Sequence, residues 1–599
     1  MSTAGASFPQ TVSAASIASA VDLHLAGRLQ EADLAYRAVL AQQPLFAEAW
    51  SLFGALAVQG GQVQLGLQRM RYALELQPHN PLVLTTLAGA LKERDEWPEA
   101  AALFRRAAIA EPANLLTRLN LASVLQQLHQ HSDAIAEYRQ ILLLDASFAQ
   151  AHHDLGVALM ANEEFTQAET SFRQALHLQP TFPDALNNLG VALKNQKKYD
   201  EAMACYQQAL QQQPGFAKAL FNLGTICFIR KNFAEAMHWY RLSLAADPQQ
   251  LEAHQNMASM LLDEGRMAEA KYHRDAAYHG RPWLTDHAAN PVKTVLILWA
   301  AGKGNIPIDY LFPKKSYTRI VWMMEYAATG EAPPLEQVDL IFNAIGDPDV
   351  TGPTLEASQR FLQSNSLPLM NDPAQIEKTR RDRIAVLLAD IPGIVCPATL
   401  RLPTAEVRAQ IARQADMAFP LLIRPGNSHG GDHLEKIDSL QQLQDTRLFT
   451  SDVYYITPYV DYRSADGYFR KYRMAFIDRQ PYPYHLAIGQ HWMVHYETAD
   501  MLAHSWKLEE EKRYLNDPAG VLGAAILQAL CDIGQRMNLD FCGIDFSVLP
   551  DGRLLVFEAN ATMLIHPEEE DSVIVHKNEY VQRIFDAFNR HVQTLTQHG

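Results

Sequence analysis

Cysteine is scarce in this chain, and the few cysteines show no spacing that indicates a shared role. Its 599 residues include five, which are Cys205, Cys227, Cys396, Cys531 and Cys542. No two of them form a Cys-x-x-Cys pair, so neither a zinc-ribbon site nor a dithiol redox motif is predicted. They are also too few for a disulfide framework, which favours a reducing cytoplasm over secretion.

An excess of positive charge and a long apolar run are missing as well. The formal net charge is −16, so broad binding to nucleic acid or to an anionic membrane is not expected. The longest strand-like apolar run, Thr294 to Ala301, is far shorter than the roughly 20 residues that span a bilayer. The first basic residue is Arg28, so no signal peptide is predicted. We expect a cytoplasmic protein that contacts neither membrane nor nucleic acid.

The first half of the chain repeats itself every 34 residues. Eight copies begin at residues 13, 47, 81, 115, 149, 183, 217 and 251. Their eighth residue is always small, as expected where two paired helices approach closely. These residues are Ala20, Gly54, Ala88, Ala122, Gly156, Gly190, Gly224 and Ala258. The pattern resembles the tetratricopeptide repeat and predicts an all-α solenoid of eight helix pairs over residues 13–284.

The sixth position of each copy, expected on the inner face of the solenoid, is polar only in copies four to eight. It holds Asn120, Asp154, Asn188, Asn222 and Asn256. An amide can pair with both the N–H and the C=O of an extended peptide. This series is similar to the asparagine ladder of O-linked N-acetylglucosamine transferases, which implies peptide binding by the four asparagines. Two alternatives are that the amides satisfy contacts between helices and that the array forms a homodimer.

A hairpin near the C terminus has the composition of a metal site. Two apolar runs flank a turn signal at residues 550–552. A four-residue loop places Asp545 opposite Glu558, and Asn560 shares their face because strand side chains alternate. A three-residue loop would instead put Phe557 opposite Asp545. Two carboxylates and one amide oxygen on one face predict a site for Mg²⁺ and a nucleotide's phosphates.

Residues 371–598 carry seven short motifs in a definite order. These are Asn371 to Pro373, Arg381 to Arg383, Ile391 to Pro397, Phe419 to Gly431, Val453 to Tyr462, Tyr472 to Ile477 and the hairpin. In their order they resemble the ATP-grasp superfamily, with a fold like that of glutathione synthetase and D-Ala-D-Ala ligase. The resemblance implies an α+β ATP-grasp domain over 371–598, preceded by an α/β pre-ATP-grasp domain over 293–370. Within residues 293–370, the apolar runs 293–299, 338–345 and 367–370 are predicted to be strands.

The resemblance also implies roles for single residues. ATP would be bound by Arg383, Arg424, Gly426, Ser428, Gly430, Gly431, Tyr459, Val460 and Asp461. Arg473 would be the catalytic residue, holding first the γ-phosphate and later an acyl phosphate. Asp545, Glu558 and Asn560 would be the Mg²⁺ ligands.

The chain departs from the superfamily at two points. Arg383 and Arg424 stand where lysine is more common, which keeps the charge and allows bidentate chelation of phosphate. At the hinge, Pro458 removes one backbone donor. Adenine is therefore expected to use carbonyls and the N–H of Tyr459 or Val460.

Three histidines follow Arg473 in an aromatic-rich stretch. They are His485, His491 and His495. Their spacing is not that of a zinc site on a helix, and no cysteine lies nearby. They either line the pocket of an acceptor substrate or pack in the interior.

The resemblance implies an ATP-dependent carboxylate–amine ligase that works through an acyl phosphate and releases ADP. The fused repeats indicate that one substrate is a peptide or protein. One alternative keeps the fold but transfers phosphate to another acceptor. A second alternative is a scaffold whose repeats recruit partners, with the second half acting as a nucleotide sensor.

Overall fold

The chain consists of two compact units, Met1–Ala270 and Lys271–Gly599. The computed structural model describes residues 14–288, 291–413, 419–426, 428, 431–448 and 451–597. The division between the units falls inside the last helix of the repeats. Each unit is treated separately below.

From Ala14 on, where its description begins, the first unit is built of helices alone, and the predicted eight pairs are confirmed. The helices are α1 (Ala14–Leu25), α2 (Leu29–Gln42), α3 (Ala47–Gln59), α4 (Val63–Leu76), α5 (Pro81–Lys92), α6 (Trp97–Ala110), α7 (Leu115–Gln127), α8 (His131–Leu144), α9 (Ala149–Ala161), α10 (Phe165–Leu178), α11 (Pro183–Asn195), α12 (Tyr199–Gln212), α13 (Ala217–Ile229), α14 (Phe233–Ala246), α15 (Leu251–Asp263) and α16 (Met267–Tyr278). Consecutive helices pack as antiparallel neighbours because only a few residues join them.

The small residues of the repeat lie where the sequence pattern places them. Gly190 on α11 packs against the ring of Tyr206 on α12 so closely that a methyl group on Gly190 would lie 2.4 Å from a ring carbon. Gly156 packs on Phe172 in the same way, and Gly224 packs on Tyr240. Each of these three pairs is thus closed by one aromatic ring that needs a residue without a side chain opposite it.

The second unit begins with a five-stranded sheet. Its strands are β1 (Trp283–Asp286), β2 (Lys293–Trp299), β3 (Tyr317–Met323), β4 (Leu340–Asn343) and β5 (Leu369–Met370). The order is β1-β3-β2-β4-β5, with β1 antiparallel to β3 and the other neighbours parallel. Trp283 and Leu284, predicted to end the solenoid, instead pair with β3. This corrects the boundary, because the sheet begins before residue 293.

Two further sheets follow. Their strands are β6 (Ile394–Val395), β7 (Leu400–Pro403), β8 (Leu421–Pro425), β9 (Glu435–Ile437), β10 (Val453–Pro458), β11 (Phe469–Ile477), β12 (Gln480–Gly489), β13 (Phe541–Val548) and β14 (Leu554–Asn560). One sheet has the order β7-β10-β8-β9 and the other β12-β11-β13-β14-β6. The second unit is therefore α/β, with three separate sheets among the described residues.

Helices of the second unit cover these sheets. They are α17 (Pro348–Gln363), α18 (Pro373–Ile376), α19 (Ile384–Leu388), α20 (Val407–Arg413), α21 (Leu440–Asp445), α22 (Ser505–Asn516), α23 (Pro518–Leu522), α24 (Ala524–Met537) and α25 (Asn578–Thr596). Ile584, Phe588 and Val592 of α25 share a core with β2 and β4, so the C-terminal helix closes the first sheet. No helix in the described ranges combines the length and apolar character needed to cross a membrane.

The hairpin reaches the predicted pairing by a different route. Val548 pairs with Leu554, which encloses a five-residue loop rather than the four-residue loop predicted. That register would place Phe557 opposite Asp545, but a β-bulge between the two pairings makes Phe557 the extra residue. Beyond the bulge, Asp545 faces Glu558. The bulge thus restores the carboxylate pair that the loop length alone would have separated.

The glycine beside Tyr206 yields a prediction on stability. Gly190→Ala should lower the free energy of unfolding by about 1–2 kcal/mol, since overpacking costs about 1–3 kcal/mol and alanine regains at most about 1 kcal/mol of helix propensity. Gly89→Ala is the matched control, because a methyl group on Gly89 meets nothing within 4 Å and should stabilise helix α5. Urea unfolding followed by circular dichroism tests both. Equal effects of the two changes would contradict the packing account.

Candidate functional site

The second unit contains a cavity of about 520 Å³ between its sheets. Eight of the residues predicted from the sequence line it: Arg424, Gly431, Tyr459, Val460, Arg473, Asp545, Glu558 and Asn560. They come from strands β8, β11, β13 and β14 and from the segments that follow β8 and β10. The structure therefore brings the predicted cation, hinge and carboxylate residues together in one place.

Asp545 is held by two cations from the neighbouring strand. Arg473 contacts both of its carboxylate oxygens, at 2.6 and 2.9 Å, and Lys471 Nζ lies 2.8 Å from Oδ2. Lys471 and Arg473 share one face of β11 because they are two residues apart. Burial alone would raise the pKa of Asp545, but Lys471 and Arg473 outweigh it and hold that pKa well below its ordinary value. Asp545 is therefore a fixed negative charge.

Glu558 faces a second pair of cations. Its Oε2 atom lies 3.4 Å from Arg424 Nη1 and 3.6 Å from Arg381 Nη2. Burial works to raise the pKa of Glu558, while Arg381 and Arg424 lower it below its ordinary value. Four cations thus surround two facing carboxylates, so the cluster has more positive than negative charge.

Two of the three predicted metal ligands, Asp545 and Glu558, offer carboxylate oxygens to the cavity. Asn560 Oδ1 accepts hydrogen bonds from the backbone N–H and the hydroxyl of Thr562, at 2.7 and 2.6 Å, which uses both lone pairs of that oxygen. Asp545 and Glu558 are cross-strand neighbours, close enough to share one ion. Two facing carboxylates suit Mg²⁺, whereas Asn560 can join them only after a bond to Thr562 breaks.

One predicted phosphate contact lies elsewhere, and its neighbour takes its place. Arg383 does not line the cavity, because its half-exposed side chain pairs with Glu377 at 3.1 Å. Arg381 lines the cavity instead and bonds Asp349 at 3.2 Å in addition to facing Glu558. Arg383 is the residue just before the short helix α19, and Arg381 lies two residues earlier in the same turn. The sequence motif contains both residues and does not indicate which one faces inward.

The glycine-rich segment after β8 contacts the cavity at one described residue, Gly431. Gly426 does not line the cavity; a methyl group there would lie 2.5 Å from Val453, so packing accounts for this glycine. Ser428 turns its backbone carbonyl, not its N–H, towards Arg424, at 2.6 Å. Gly430 lies outside the described residues.

The hinge differs in part from the expectation. Tyr459 and Val460 line the cavity, but the N–H of Tyr459 donates to the carbonyl of Pro420 at 3.0 Å. Asp461 does not line the cavity, and its carboxylate accepts from the N–H of Arg463 at 3.1 Å. Val460 is therefore the residue left to supply the predicted backbone donor.

One of the three histidines lines the cavity. A methyl group on Gly431 would lie 2.4 Å from His495 Nε2, so this side chain closes the cavity against the glycine-rich segment. Burial, followed by the nearby Lys471, lowers the pKa of His495. The imidazole is thus neutral near pH 7 in this environment.

The other two histidines do not reach the cavity. His485 packs between Tyr484 and Tyr496, with ring centroids 5.1 and 5.3 Å away. Burial, then the charge of Arg473, holds the pKa of His485 well below its ordinary value. His491 is exposed. The interpretation that these side chains pack therefore holds for His485 alone.

The far end of the cavity was not foreseen from the sequence. It is lined by Lys303, Asn305, Gly346, Asp347 and Asp349. These residues follow the carboxyl ends of the adjacent parallel strands β2 and β4, the edge where open α/β sheets bind ligands. This rule, applied to the strands predicted from the sequence, could have identified these residues. Asp349 accepts a hydrogen bond from the Tyr455 hydroxyl, which ties the first sheet to strand β10.

In the first unit, the ladder amides bond to residues of the array. Asn120 accepts from Lys92 Nζ at 2.9 Å, and Asn256 donates to the Tyr240 hydroxyl at 3.0 Å. Both bonds join neighbouring helices. This agrees with the alternative prediction that the amides satisfy contacts between helices. One bond uses only part of an amide's capacity of four, so peptide binding by the ladder remains a prediction.

A chain of hydrogen bonds links the middle of the ladder. Asn222 donates to Asn187 at 2.9 Å, Asn187 donates to Asn188 at 3.2 Å, and Asn188 lies 3.1 Å from His153 Nε2. The other ring nitrogen of His153 lies 2.9 Å from Asp154. Three successive repeats are joined by this chain.

Comparisons with known proteins bear on the first unit. Sequence models described as tetratricopeptide repeat match residues 119–183, 183–216 and 217–250. Residues 119–250 are tetratricopeptide repeats. Repeats of this family typically bind peptides or proteins. No protein of curated function matches the chain.

Several solved structures are similar to part of the chain. One is the C-terminal part of a repeat protein from Cytophaga hutchinsonii, 16% identical, which covers 40% of this chain and 98% of its own with a TM-score of 0.34. MamA from Desulfovibrio magneticus RS-1 is 15% identical and covers 28% of this chain and 96% of its own, TM-score 0.27. YrrB, described as having an unusual peptide-binding site, is 20% identical and covers 31% of this chain and 95% of its own, TM-score 0.27.

The ion pairs of Asp545 yield a second prediction. Asp545→Asn should destabilise the second unit by about 2 kcal/mol, since it leaves the partly buried cations Lys471 and Arg473 without their partner, at less than the cost of fully buried charges. Asp551→Asn, in the exposed turn of the same hairpin, is the control and should cost less than about 1 kcal/mol. Hydrogen exchange of the β13 amides reports the local change. If the β13 amides exchange at the same rate with and without Asp545→Asn, the charges of Lys471 and Arg473 do not need Asp545 as their partner.

Proposed function

We propose that the second unit is an ATP-dependent carboxylate–amine ligase, with Mg²⁺ and ATP bound in the cavity. The observation that carries the proposal is the cluster of four cations around the facing carboxylates Asp545 and Glu558. In a protein whose formal net charge is −16, a local positive excess at the bottom of a cavity favours a polyanionic ligand.

The carboxylate pair supports a metal ion between protein and phosphates. Like charges directly opposite each other on neighbouring strands destabilise a sheet, so their presence calls for a compensating partner. Without a ligand, Lys471, Arg473, Arg381 and Arg424 supply that compensation. Asp545 and Glu558 would hold Mg²⁺, which would neutralise charge at the phosphates when bound. Lys471, Arg473, Arg381 and Arg424 would then be available to phosphate oxygens.

The proposed reaction has two steps. An oxygen of the substrate carboxylate attacks the γ-phosphorus of ATP, and the bond to the bridging oxygen breaks to release ADP. The amine then attacks the acyl carbon, loses a proton and expels phosphate. In both steps Arg473 would stabilise charge on the transferred phosphoryl group. Arg381, from the turn before α19, and Arg424, from β8, would hold phosphate oxygens.

The two carbon substrates would occupy the far end of the cavity. This end is lined by residues that follow strands β2 and β4, including Lys303 and Asp349, so it offers charges of both signs. A carboxylate and an amine need this combination. His495 closes the side of the cavity near Lys471 and limits the entry of water.

The repeats would supply a peptide or protein substrate. Tetratricopeptide repeats alone favour a protein-interaction role, and the scaffold alternative rests on that observation. The scaffold alternative predicts that the protein binds partners without turning over ATP. The ligase and scaffold proposals therefore differ in one measurable quantity, the release of ADP.

The nucleotide products test the proposed chemistry. With ATP, Mg²⁺ and a peptide fraction of cell extract, the protein should release ADP and phosphate, because the cations and carboxylates surround the position of the β–γ bridge. Glu558→Gln should reduce turnover at least a hundredfold, since it removes a charge from a hard-cation site. Chromatography separates ADP from AMP.

The control for this experiment is Glu569→Gln, a change outside the residues that line the cavity. It should leave turnover unchanged. Release of AMP would exclude an acyl phosphate, and full turnover by Glu558→Gln would exclude the metal assignment.

Two neighbouring arginines test the position of ATP. Arg381→Gln should weaken ATP binding about tenfold or more, because this side chain faces Glu558 in the cavity. Arg383→Gln should change it less than twofold, because this side chain pairs with Glu377 outside the cavity. Calorimetric titration with ATP and Mg²⁺ measures both affinities. A larger loss in Arg383→Gln would show that the sequence motif, and not the described geometry, identifies the phosphate contact.

A further inference from the structure

The side of the β7-β10-β8-β9 sheet that faces the cavity is arranged in rows across its strands. Tyr455 of β10 lies opposite Arg424 of β8. Thr457 lies opposite Leu422, and all four residues line the cavity. Side chains two residues apart share one face of a strand, so the row of Thr457 follows the row of Arg424 at roughly 7 Å. A ribose bridges a similar distance between its phosphate and its base, so a nucleotide whose phosphates contact Arg424 presents its base to Thr457.

The direction in which the cavity continues fits this placement of the base. Tyr459, two residues beyond Thr457, lines the cavity, whereas Val453, two residues before Tyr455, does not. Trp492 lines the cavity as well, and its ring centroid lies 5.9 Å from that of Tyr459. An aromatic surface of this kind suits the flat face of a base better than it suits a phosphate.

Thr457 shares a hydrogen bond with Thr399, the residue before strand β7. Their Oγ1 atoms lie 2.9 Å apart, and either hydroxyl can be the donor. Thr399 also lines the cavity, and its hydroxyl can donate instead to the carbonyl of Pro397, at 3.5 Å. The pair therefore has two polarities. When Thr399 donates to Thr457, the Thr457 hydroxyl can donate to a ligand, and when Thr457 donates to Thr399, its oxygen can accept from a ligand.

The backbone next to Thr457 lacks two of its N–H donors for a ligand. Pro458 has no N–H, and the N–H of Tyr459 donates to the carbonyl of Pro420 at 3.0 Å. A site with a fixed donor or acceptor rejects a ligand that offers the wrong group there. At the six-position, adenine offers an amino group that donates and guanine an oxygen that accepts. A hydroxyl of either polarity can bond both.

We propose that the hydroxyl pair of Thr399 and Thr457 contacts the six-position of a purine base, so that guanine and adenine nucleotides bind with similar affinity. With adenine, Thr457 accepts from the amino group and Thr399 donates to Pro397. With guanine, Thr399 donates to Thr457, which donates to the base oxygen. The inference rests on the proposed nucleotide site and extends its ligand class to both purine triphosphates. It does not depend on the ligase reaction.

Calorimetric titration of the full-length protein in the presence of Mg²⁺ tests this inference with three nucleotides. The probes are ATP, GTP and purine riboside triphosphate, whose base has no substituent at the six-position. We expect the dissociation constants of ATP and GTP to lie within fivefold of each other. Purine riboside triphosphate should bind about threefold or more weakly than both, because one hydrogen bond is lost.

Variants of Thr457 show whether this hydroxyl makes the contact. Thr457→Val removes the hydroxyl and keeps the branched shape, so ATP and GTP should bind about threefold or more weakly while purine riboside triphosphate is unchanged. Thr457→Ser keeps the hydroxyl and should keep the wild-type order of the three affinities. Thr404→Val is the control, because Thr404 follows the other end of β7 and does not line the cavity. It should also keep the wild-type order.

The possible failures point to different errors. A difference of more than fivefold between ATP and GTP, in either direction, would overturn the shared polarity of the pair and leave the nucleotide site standing. Equal binding of all three nucleotides to the wild-type protein would overturn the contact of Thr457 with the base. Binding of none of them would overturn the proposed nucleotide site together with this inference. None of these outcomes depends on turnover, so a failure of the ligase chemistry would show separately, as the absence of ADP release.

Discussion

Compensation of two facing carboxylates joins separate parts of the second unit. Asp545 is buried and Glu558 is partly buried, they face each other from adjacent strands, and each one needs cations that come from elsewhere in the fold. Asp545 obtains them from β11, while Glu558 obtains them from β8 and from the turn before α19. Three separate segments therefore meet at one point. These ion pairs link the sheet of β8 to the sheet of β11, β13 and β14 across the cavity.

The first unit depends on a different constraint, which is steric. The twenty-fourth residue of the repeat is aromatic in six of the eight copies, and the second and eighth copies have Met70 and Arg274 instead. In the fifth, sixth and seventh copies the ring lies against a glycine of the opposite helix. Where the ring belongs to Tyr36 or Tyr138, its hydroxyl bonds the side chain twelve residues earlier, His24 or Gln126. In those two copies the same aromatic residue therefore provides both the packing contact and the polar contact between the paired helices.

Sequence patterns predicted the helices and strands better than they predicted the direction in which single side chains point. The 34-residue period predicted the eight helix pairs correctly because every copy carries the same pattern of small residues. Strand β3 was not foreseen, since Arg319 interrupts its apolar run and is buried only through ion pairs with Asp286 and Asp309. The pairing of Asp545 with Glu558 was right although the loop length was wrong, because a bulge at Phe557 made up the difference. The sequence does not distinguish Arg381 from Arg383. The turn before α19 decides which of the two lines the cavity.

The hydrogen bonds between Asn222 and Asp154 have one direction. Asn222 donates to Asn187 and Asn187 to Asn188, so Asn188 has its amide nitrogen, a donor, towards His153 Nε2. His153 must then accept at Nε2 and carry its proton on the nitrogen that faces Asp154. The orientation of the inner amides across three repeats is therefore tied to which nitrogen of one imidazole carries the hydrogen.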